Sequence, residues 1–323
     1  MRPRPVFELE INGRQVRLGE RTLIMGVLNV TPDSFSDGGL YLDPDRAVAH
    51  ALELVRQGAD WVDVGGESSR PGSRPISVEE ELRRVLPVIR ALRRKMSSVP
   101  ISIDTTKAEV AEEAVRAGAS IINDVSGLRF DPRLAEVARR HSTPLILMHL
   151  RGRPTTMQQK PFARSIWRSV RQGLARSIRR ALARGVRRSQ LIIDPGMGFG
   201  KSRLQNFEIV ACLYRLQSFR LPILLGTSRK SFVQAVVAGE GFGGRLRSGH
   251  RKKSGAHFWP LTQVAEETPQ APAGAKSPPL PLLFGDAAIV AATILAGTHI
   301  VRVHDVAPVL PPVRIADAIL AAR

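Results

Sequence analysis

Short apolar runs alternate with helical stretches along most of this chain. Two runs, 6–10 and 15–18, flank Asn12-Gly13, a dipeptide typical of the tight turn in a β-hairpin. Eight further apolar runs follow, at 23–28, 61–64, 101–103, 121–122, 145–148, 191–193, 223–225 and 300–303. Helical patterns separate several of them, at 44–57, 78–95, 108–117 and 132–140. This alternation predicts a β-hairpin followed by eight strand–helix units.

Eight such units indicate a parallel barrel. They occupy about 280 residues, a length typical of a (β/α)8 TIM barrel. An open, doubly wound sheet is the alternative fold for the same alternation. We expect one α/β domain spanning residues 1–323, with the hairpin in front of the barrel.

One segment, residues 239–283, breaks the rhythm. It is rich in Gly, Pro, Arg and Lys and has no clear period, and six prolines lie between residues 260 and 281. We predict that this segment, called the insertion below, is a flexible, disordered addition before the last helix–strand unit. Helical periodicity returns at 286–296.

The net charge of +19 favours anionic ligands in general. Nine arginines and no acidic residue lie between residues 164 and 190, around an apolar stripe with a spacing of four. The stripe consists of Ile166, Val170, Leu174, Ile178 and Leu182. It predicts an amphipathic helix with a solvated arginine face, so we expect no nucleic-acid role. The single cysteine excludes an intrachain disulfide, and no signal peptide or membrane span is evident, which suits a cytoplasmic enzyme.

Polar residues follow all eight predicted barrel strands. A single Asp after a strand is often only a helix cap, but eight polar strand ends point to a site, because barrel enzymes build their sites there. The carboxylates and amide of Asp104, Asn123 and Asp194 suit a flat heterocycle that carries N–H donors. Other strand ends carry donors that suit anionic oxygens, namely Asn29, Arg70, Lys230, Arg302 and His304. The residues therefore predict a ligand with a heterocyclic head and a phosphate tail.

Ordered sequence blocks then identify a resemblance. The segments 23–39, 58–72, 103–105, 122–125, 148–149, 194–201, 227–232 and 301–306 resemble, in order, the blocks of the dihydropteroate synthases. The resemblance covers about residues 5–320 apart from the insertion. It implies condensation of 6-hydroxymethyl-7,8-dihydropterin diphosphate with 4-aminobenzoate, which yields 7,8-dihydropteroate and diphosphate. It also implies a homodimer and a Mg2+ ion, with Asn29 as its ligand.

The resemblance assigns the pterin side of the site. It implies that Asp194 and Asn123 hold the pterin edge, that Lys230 lies over the ring and that Met148 lines the slot. Asp104 is implied to face the pterin and to support positive charge as diphosphate leaves. The catalytic residues implied in this way are Asp104, Lys230, Arg302 and His304.

The resemblance also assigns the other two ligand groups. Diphosphate is implied to bind to Asn29, Arg70, Arg302 and His304. The aminobenzoate pocket is implied to consist of Phe35, Ser69, Pro71, Phe199 and Ser231. Ser69 stands where the family commonly has threonine; it keeps the hydroxyl group, so we expect little change.

Two rival functions remain. A pterin-dependent methyltransferase shares the barrel and the pterin-binding Asp and Asn, but it holds no diphosphate, so Lys230, Arg302 and His304 favour the synthase. A basic nucleic-acid-binding protein would instead use the arginine helix and the insertion, and its affinity would fall steeply with salt.

Overall fold

The computed structural model describes residues 4–31, 44–69, 72–159, 163–239 and 280–322. Its chain begins with an antiparallel hairpin of β1 (Phe7–Ile11) and β2 (Arg14–Leu18). Asn12 and Gly13 have φ values of 52° and 72°, as a two-residue turn with two left-handed positions requires. Leu9, Ile11 and Leu18 pack on residues near the strand starts of the barrel and close that end.

Eight parallel strands follow and form the predicted barrel. They are β3 (Leu23–Asn29), β4 (Trp61–Gly65), β5 (Ile101–Asp104), β6 (Ile121–Asp124), β7 (Leu145–Met148), β8 (Leu191–Asp194), β9 (Leu224–Gly226) and β10 (Ile300–Val303). Their order is β8-β7-β6-β5-β4-β3-β10-β9, and a parallel bridge between Ile193 and Ile223 joins the two ends. The open-sheet alternative is therefore wrong, and all eight carboxyl ends meet at one rim.

Helices surround the strands. They are α1 (Pro44–Arg56), α2 (Val78–Lys95), α3 (Ala108–Ala117), α4 (Leu134–Arg140), α5 (Ile166–Ala183), α6 (Arg203–Ala211), α7 (Ser231–Val237), α8 (Leu280–Leu295) and α9 (Leu310–Ala321). Local sequence sets several of their starts: the hydroxyls of Ser77, Ser165 and Ser202 each accept a backbone N–H at the N-terminus of α2, α5 and α6. Buried apolar residues of the helices and strands form the main core between the two layers.

Two sequence-based boundaries need correction. Helix α8 begins at Leu280, so the last four residues assigned to the insertion are helical. Pro281 falls in the first turn of this helix, where proline costs no hydrogen bond, so this proline does not mark a loop. Residues 240–279 of the insertion lie outside the described residues. In α5 the predicted stripe is buried as far as Ile178, but Leu182 is 39% exposed, because the helix ends one residue later.

Candidate active site

Two adjoining clefts open at the rim where the strands end. The first has a volume of about 550 Å3 and is lined by residues at the ends of β3, β4, β7, β8, β9 and β10 or in the loops after them. The second has a volume of about 450 Å3 and is lined by the loops after β4, β5, β6 and β7, with Asp104 in its wall. Ser68 and Ser69 line both clefts, so one loop separates them.

Several predicted site residues share the first cleft. Its lining includes Asn29, Ser69, Phe199, Lys230, Ser231, Arg302 and His304. These residues come from loops at five strand ends, so the barrel brings together positions up to 275 residues apart in sequence (Asn29 to His304). Arg70, Phe35 and Pro71 lie outside the described residues. The cleft thus unites predicted diphosphate and aminobenzoate groups.

An ionic network forms the floor between the clefts. Arg302 donates from Nε to Oδ2 of Asp63 at 2.6 Å and from Nη2 to Oδ2 of Asp104 at 2.8 Å. Nδ2 of Asn123 donates to the same Asp63 oxygen at 3.0 Å. Asp63 is fully buried and Asn123 is nearly so. The guanidinium therefore links β10 to β4 and β5 through groups that have little access to water.

This burial changes how Asp104 titrates. Loss of solvation raises the pKa of the Asp104 carboxyl to about 7, and the charge of Asp63 adds to the rise, although Arg302 opposes it. For Arg302, burial alone would lower the pKa, but the two carboxylates overcome that effect and raise it, so the guanidinium stays charged. Asp104 is consequently a carboxyl that can exchange a proton near neutral pH beside a permanent cation.

Asp194 is the last residue of β8 and lies at the rim where the strands end. Its Oδ1 accepts the backbone N–H of Gly196 at 2.6 Å, which fixes the carboxylate against the turn that follows the strand. Burial raises the pKa of Asp194 to about 6, while the Gly196 bond and the charge of Lys230 oppose the rise. The carboxylate is thus mostly ionised at neutral pH in a nearly dry slot, where an N–H donor gains most from it.

Lys230 precedes α7 and lies against Phe199 in the wall of the first cleft. Its Nζ lies 4.6 Å from the centroid of the Phe199 ring, which is within the range of a cation–π contact. Burial lowers the pKa of Lys230 to about 8, the charge of Arg302 lowers it further, and Asp194 opposes both. An ammonium and an aromatic ring therefore form one continuous part of the wall near the predicted pterin position.

Three residues at or just after the ends of β6 and β7, namely Asp124, Met148 and His149, support the surrounding structure. Met148 is buried in a small apolar cluster with Val125, Leu150 and Met157, against which Phe199 packs. The Asp124 carboxylate accepts the backbone N–H groups of Ser126 and Leu128, so it stabilises its own turn. His149 is buried, with its Nε2 3.3 Å from the Ser169 hydroxyl. Met148, Asp124 and His149 thus line neither of the two clefts.

Sequence reasoning missed three buried charged residues that support the site. Asp63 lies within the apolar run of β4, and only its polarity at that position could have indicated a role. Lys201 donates from Nζ to the carbonyls of Gly196 at 2.6 Å and of His149 and Phe199 at 3.1 Å, and so holds the loop after β8. Asp286 of α8 accepts the backbone N–H of Arg229 at 2.9 Å and positions the loop before Lys230.

The oxygen atoms at the rim can hold a magnesium ion only together with oxygen atoms of a bound substrate. Among the described residues no group of three His, Cys, Asp or Glu side chains is arranged to hold a metal ion. Asn29 supplies one amide oxygen at the end of β3, beside Gly65 and on the cleft wall. Mg2+ commonly takes one or two protein oxygens and completes its shell with phosphate and water, so this donor fits a diphosphate-bound ion.

The fold and the site define a barrel enzyme that presents carboxylate and amide acceptors beside a group of cations. A family model described as "Pterin binding enzyme" matches residues 25–259. A dihydropteroate synthase of Synechocystis sp. is 38% identical over 301 residues, which are 93% of this chain and 91% of that protein.

Solved structures agree with the sequence comparison. A Yersinia pestis dihydropteroate synthase in a sulfonamide drug complex has a TM-score of 0.80 and 34% identity, covering 98% of this chain and 100% of that one. The Xanthomonas albilineans enzyme in complex with 7,8-dihydropteroate has a TM-score of 0.75 and 33% identity, covering 97% and 99%. The chain belongs to the dihydropteroate synthase family and is a transferase of folate biosynthesis.

Proposed function

We propose that the rim site joins 6-hydroxymethyl-7,8-dihydropterin diphosphate to 4-aminobenzoate and releases diphosphate. The observation that carries this proposal is the Arg302 bridge, which places the carboxylates of Asp63 and Asp104 directly beside the cationic cleft. A heterocycle with N–H donors and an anionic tail requires hydrogen-bond acceptors and cationic side chains in one site. The Xanthomonas albilineans enzyme, which is similar to this chain, has been solved in complex with 7,8-dihydropteroate, and that complex supports the same ligand chemistry.

The pterin is held by hydrogen-bond acceptors of buried residues at the rim. Asp194 and Asn123 take the N–H donors of the pterin edge, Lys230 lies over the ring and Met148 lines the slot. The Asp194 carboxylate is already held in place by Gly196, so binding requires little reorganisation. Asp104 faces the methylene carbon and stabilises positive charge there as the C–O bond breaks.

The leaving group is held by the donors of the first cleft. Arg302, His304, Asn29 and Arg70 bind the diphosphate oxygens, and their charge stabilises the anion as it departs. Magnesium, held at Asn29 and the phosphate oxygens, would supply further charge neutralisation when bound. The C–O electron pair leaves with diphosphate, the aminobenzoate nitrogen forms the new C–N bond, and that nitrogen then loses one proton to solvent or Asp104.

The amine arrives along the part of the cleft wall that contains Ser69, Phe199 and Ser231, and we assign Phe35 and Pro71 to binding the same substrate. Ser231 is the first residue of α7 and lines the first cleft, where free backbone N–H groups favour a carboxylate. The neutral aromatic amine is a sufficient nucleophile once the methylene is cationic, so no separate nucleophilic side chain is required.

A diphosphate-release assay with both substrates tests the proposal. Release should require both the pterin diphosphate and 4-aminobenzoate and should yield an equal amount of dihydropteroate. A methyltransferase would instead transfer a methyl group to a corrinoid acceptor and release no diphosphate. Methyl transfer without diphosphate release would overturn the proposed reaction.

We also propose a homodimer that acts in the cytoplasm. Helix α8 exposes Leu280 and Phe284 at 62% and 65%, and α9, packed beside it, exposes Ile315 at 63%. Such neighbouring apolar side chains are typical of a contact surface. Light scattering should give twice the chain mass, and Phe284→Glu with Ile315→Glu should give monomers, whereas Leu204→Glu, at another exposed apolar position (44%), should not. A monomeric wild type would contradict the dimer.

The location has separate support. Among the helices of the described ranges, none has the length and hydrophobicity that a bilayer crossing requires. The proposed substrate carries a diphosphate and crosses membranes poorly, so the enzyme should lie where that substrate is made. Cell fractionation with activity recovered in the membrane pellet would contradict this location.

A further inference from the structure

A third cleft lies outside the two at the active site. It has a volume of about 290 Å3 and is bounded by α5 and by the loops after β6 and β7. None of its lining residues lines either active-site cleft, although Met148, which we place in the pterin slot, forms part of its wall. Helix α5 approaches the end of β7 so closely that a Cβ atom on Gly173 would lie 2.3 Å from the His149 ring, so the cleft is built from tightly packed elements.

The lining of this cleft is strongly cationic. Arg129, Arg151, Arg176 and Arg180 all line it, and no acidic residue is found among the described residues of its wall. Ser126, Ser169 and Ser177 add hydroxyl groups. Guanidinium groups that lie close together repel one another, and an anion would relieve that repulsion.

The positions of two of these arginines are fixed by backbone carbonyls. Arg129 donates from Nη1 to the Leu150 carbonyl and from Nη2 to the Gly152 carbonyl at 3.2 Å. Arg180 donates from Nη1 to the Leu128 carbonyl at 3.3 Å. Each guanidinium has five N–H donors, so both keep donors for a ligand while they are held in place. The side chain of Arg176 makes no hydrogen bond or ion pair in the part of the chain that the structure describes.

The directions of two pKa shifts agree with an excess of positive charge around this cleft. Burial lowers the pKa of Arg129, and the charges of Arg180, Arg153 and Arg176 lower it further. Burial also lowers the pKa of His149 well below its usual value, and Lys201, Arg129 and Arg176 contribute. The neighbourhood therefore disfavours each additional cation and favours an anion.

We infer that this cleft is a binding site for the phosphate group of a small molecule, separate from the catalytic diphosphate site. Planar guanidinium groups match phosphate oxygens in pairs, and serine hydroxyls add further donors. The volume is close to the lower limit of small-molecule pockets, about 300 Å3, so it fits a compact ligand better than a polymer.

Two matched double variants on α5 test this site. Arg176→Gln with Arg180→Gln removes two cleft arginines, and Arg171→Gln with Arg179→Gln removes two arginines from outside the cleft lining. Both pairs remove the same charge from exposed positions and leave the active site unchanged. Calorimetric titration with inorganic phosphate at low salt should show a site that the first pair weakens by about tenfold or more, while the second pair changes it by less than about threefold.

Three results would overturn the proposal. Equal weakening by both pairs would show general attraction to the helix surface, and no weakening by the cleft pair would assign the phosphate elsewhere. A single-stranded oligonucleotide is titrated in parallel as the alternative source of phosphate. Tight binding of the oligonucleotide, lost equally in both pairs while inorganic phosphate does not bind the wild type, would assign the arginines to nucleic acid and also overturn it.

Discussion

The Nε atom of Arg302 lies 2.6 Å from Oδ2 of Asp63, a carboxylate with no exposed surface in the middle of β4. The same guanidinium reaches Asp104 on β5. An arginine that lines the first cleft is thus positioned by a buried carboxylate that does not line it. Activity and stability should therefore both depend on Asp63.

Asp63→Ala should lower the free energy of unfolding by about 3–5 kcal/mol, because it leaves the buried Arg302 without one partner. Urea denaturation measures the loss. Glu113→Ala is the matched control, since it removes one carboxylate from the exposed pair with Arg116 and should cost no more than about 1 kcal/mol. Similar losses in both variants would show that the buried network has no special role.

Arg302→Lys should separate charge from geometry. Lysine keeps the positive charge but cannot bond to Asp63 and Asp104 through two fixed nitrogens. We expect the affinity for pterin diphosphate to fall by about 1.5–3 kcal/mol, and the affinity for a pterin without diphosphate to fall much less. Calorimetry with the two ligands gives this difference, and equal losses would contradict a diphosphate role for Arg302.

Pterin binding should weaken at acid pH. The folded pKa of Asp194 is about 6, so its carboxylate acquires a proton and loses acceptor strength below that pH. The dissociation constant should rise by up to about tenfold for each pH unit below 6, as one proton requires. Asp194→Asn should bind weakly and lack this component. A wild-type constant that is flat from pH 7 to pH 5 would refute the assignment.

The effect of the same group on stability has the opposite sign. Its folded pKa is raised above the unfolded value, so its contribution to stability is fully present below the unfolded pKa and is lost as pH rises through about 6. Acid therefore favours the folded form at this position while it weakens the ligand. Urea denaturation at pH 5 and pH 7, compared between wild type and Asp194→Asn, separates the two effects.

Deletion of residues 240–279 should leave a folded enzyme with substantial activity. The composition of this segment offers few apolar anchors to offset the entropy of ordering, about 1–2 kcal/mol per residue. Helices α7 and α8 already contact each other, since a Cβ on Gly285 would lie 2.6 Å from the Val237 side chain, so a short Gly/Ser linker can join Gly239 to Leu280. Near-complete loss of turnover in a variant that circular dichroism shows to be folded would place the segment in the active site.

The sequence alone determined most of the architecture. The apolar run 145–148 agrees with β7 residue for residue, and the helical pattern 78–95 agrees with α2. Each element must bury one face, and the spacing of apolar residues in the sequence shows which residues form that face. The Asn12-Gly13 turn is equally local, since both residues tolerate positive φ. The strand-end positions of Asp104, Asn123 and Asp194 followed from the same pattern.

Only the tertiary structure decided which charges meet. Asp63 and Arg302 are 239 residues apart, and no local pattern pairs a polar residue inside one apolar strand with an arginine on another. The three carbonyls around Lys201 come from two loops, and the arginines of the third cleft come from α5 and from loops after β6 and β7. Periodicity records which side of an element faces the core, whereas pairings across a closed barrel depend on strand order and register, and these exist only once the barrel has closed.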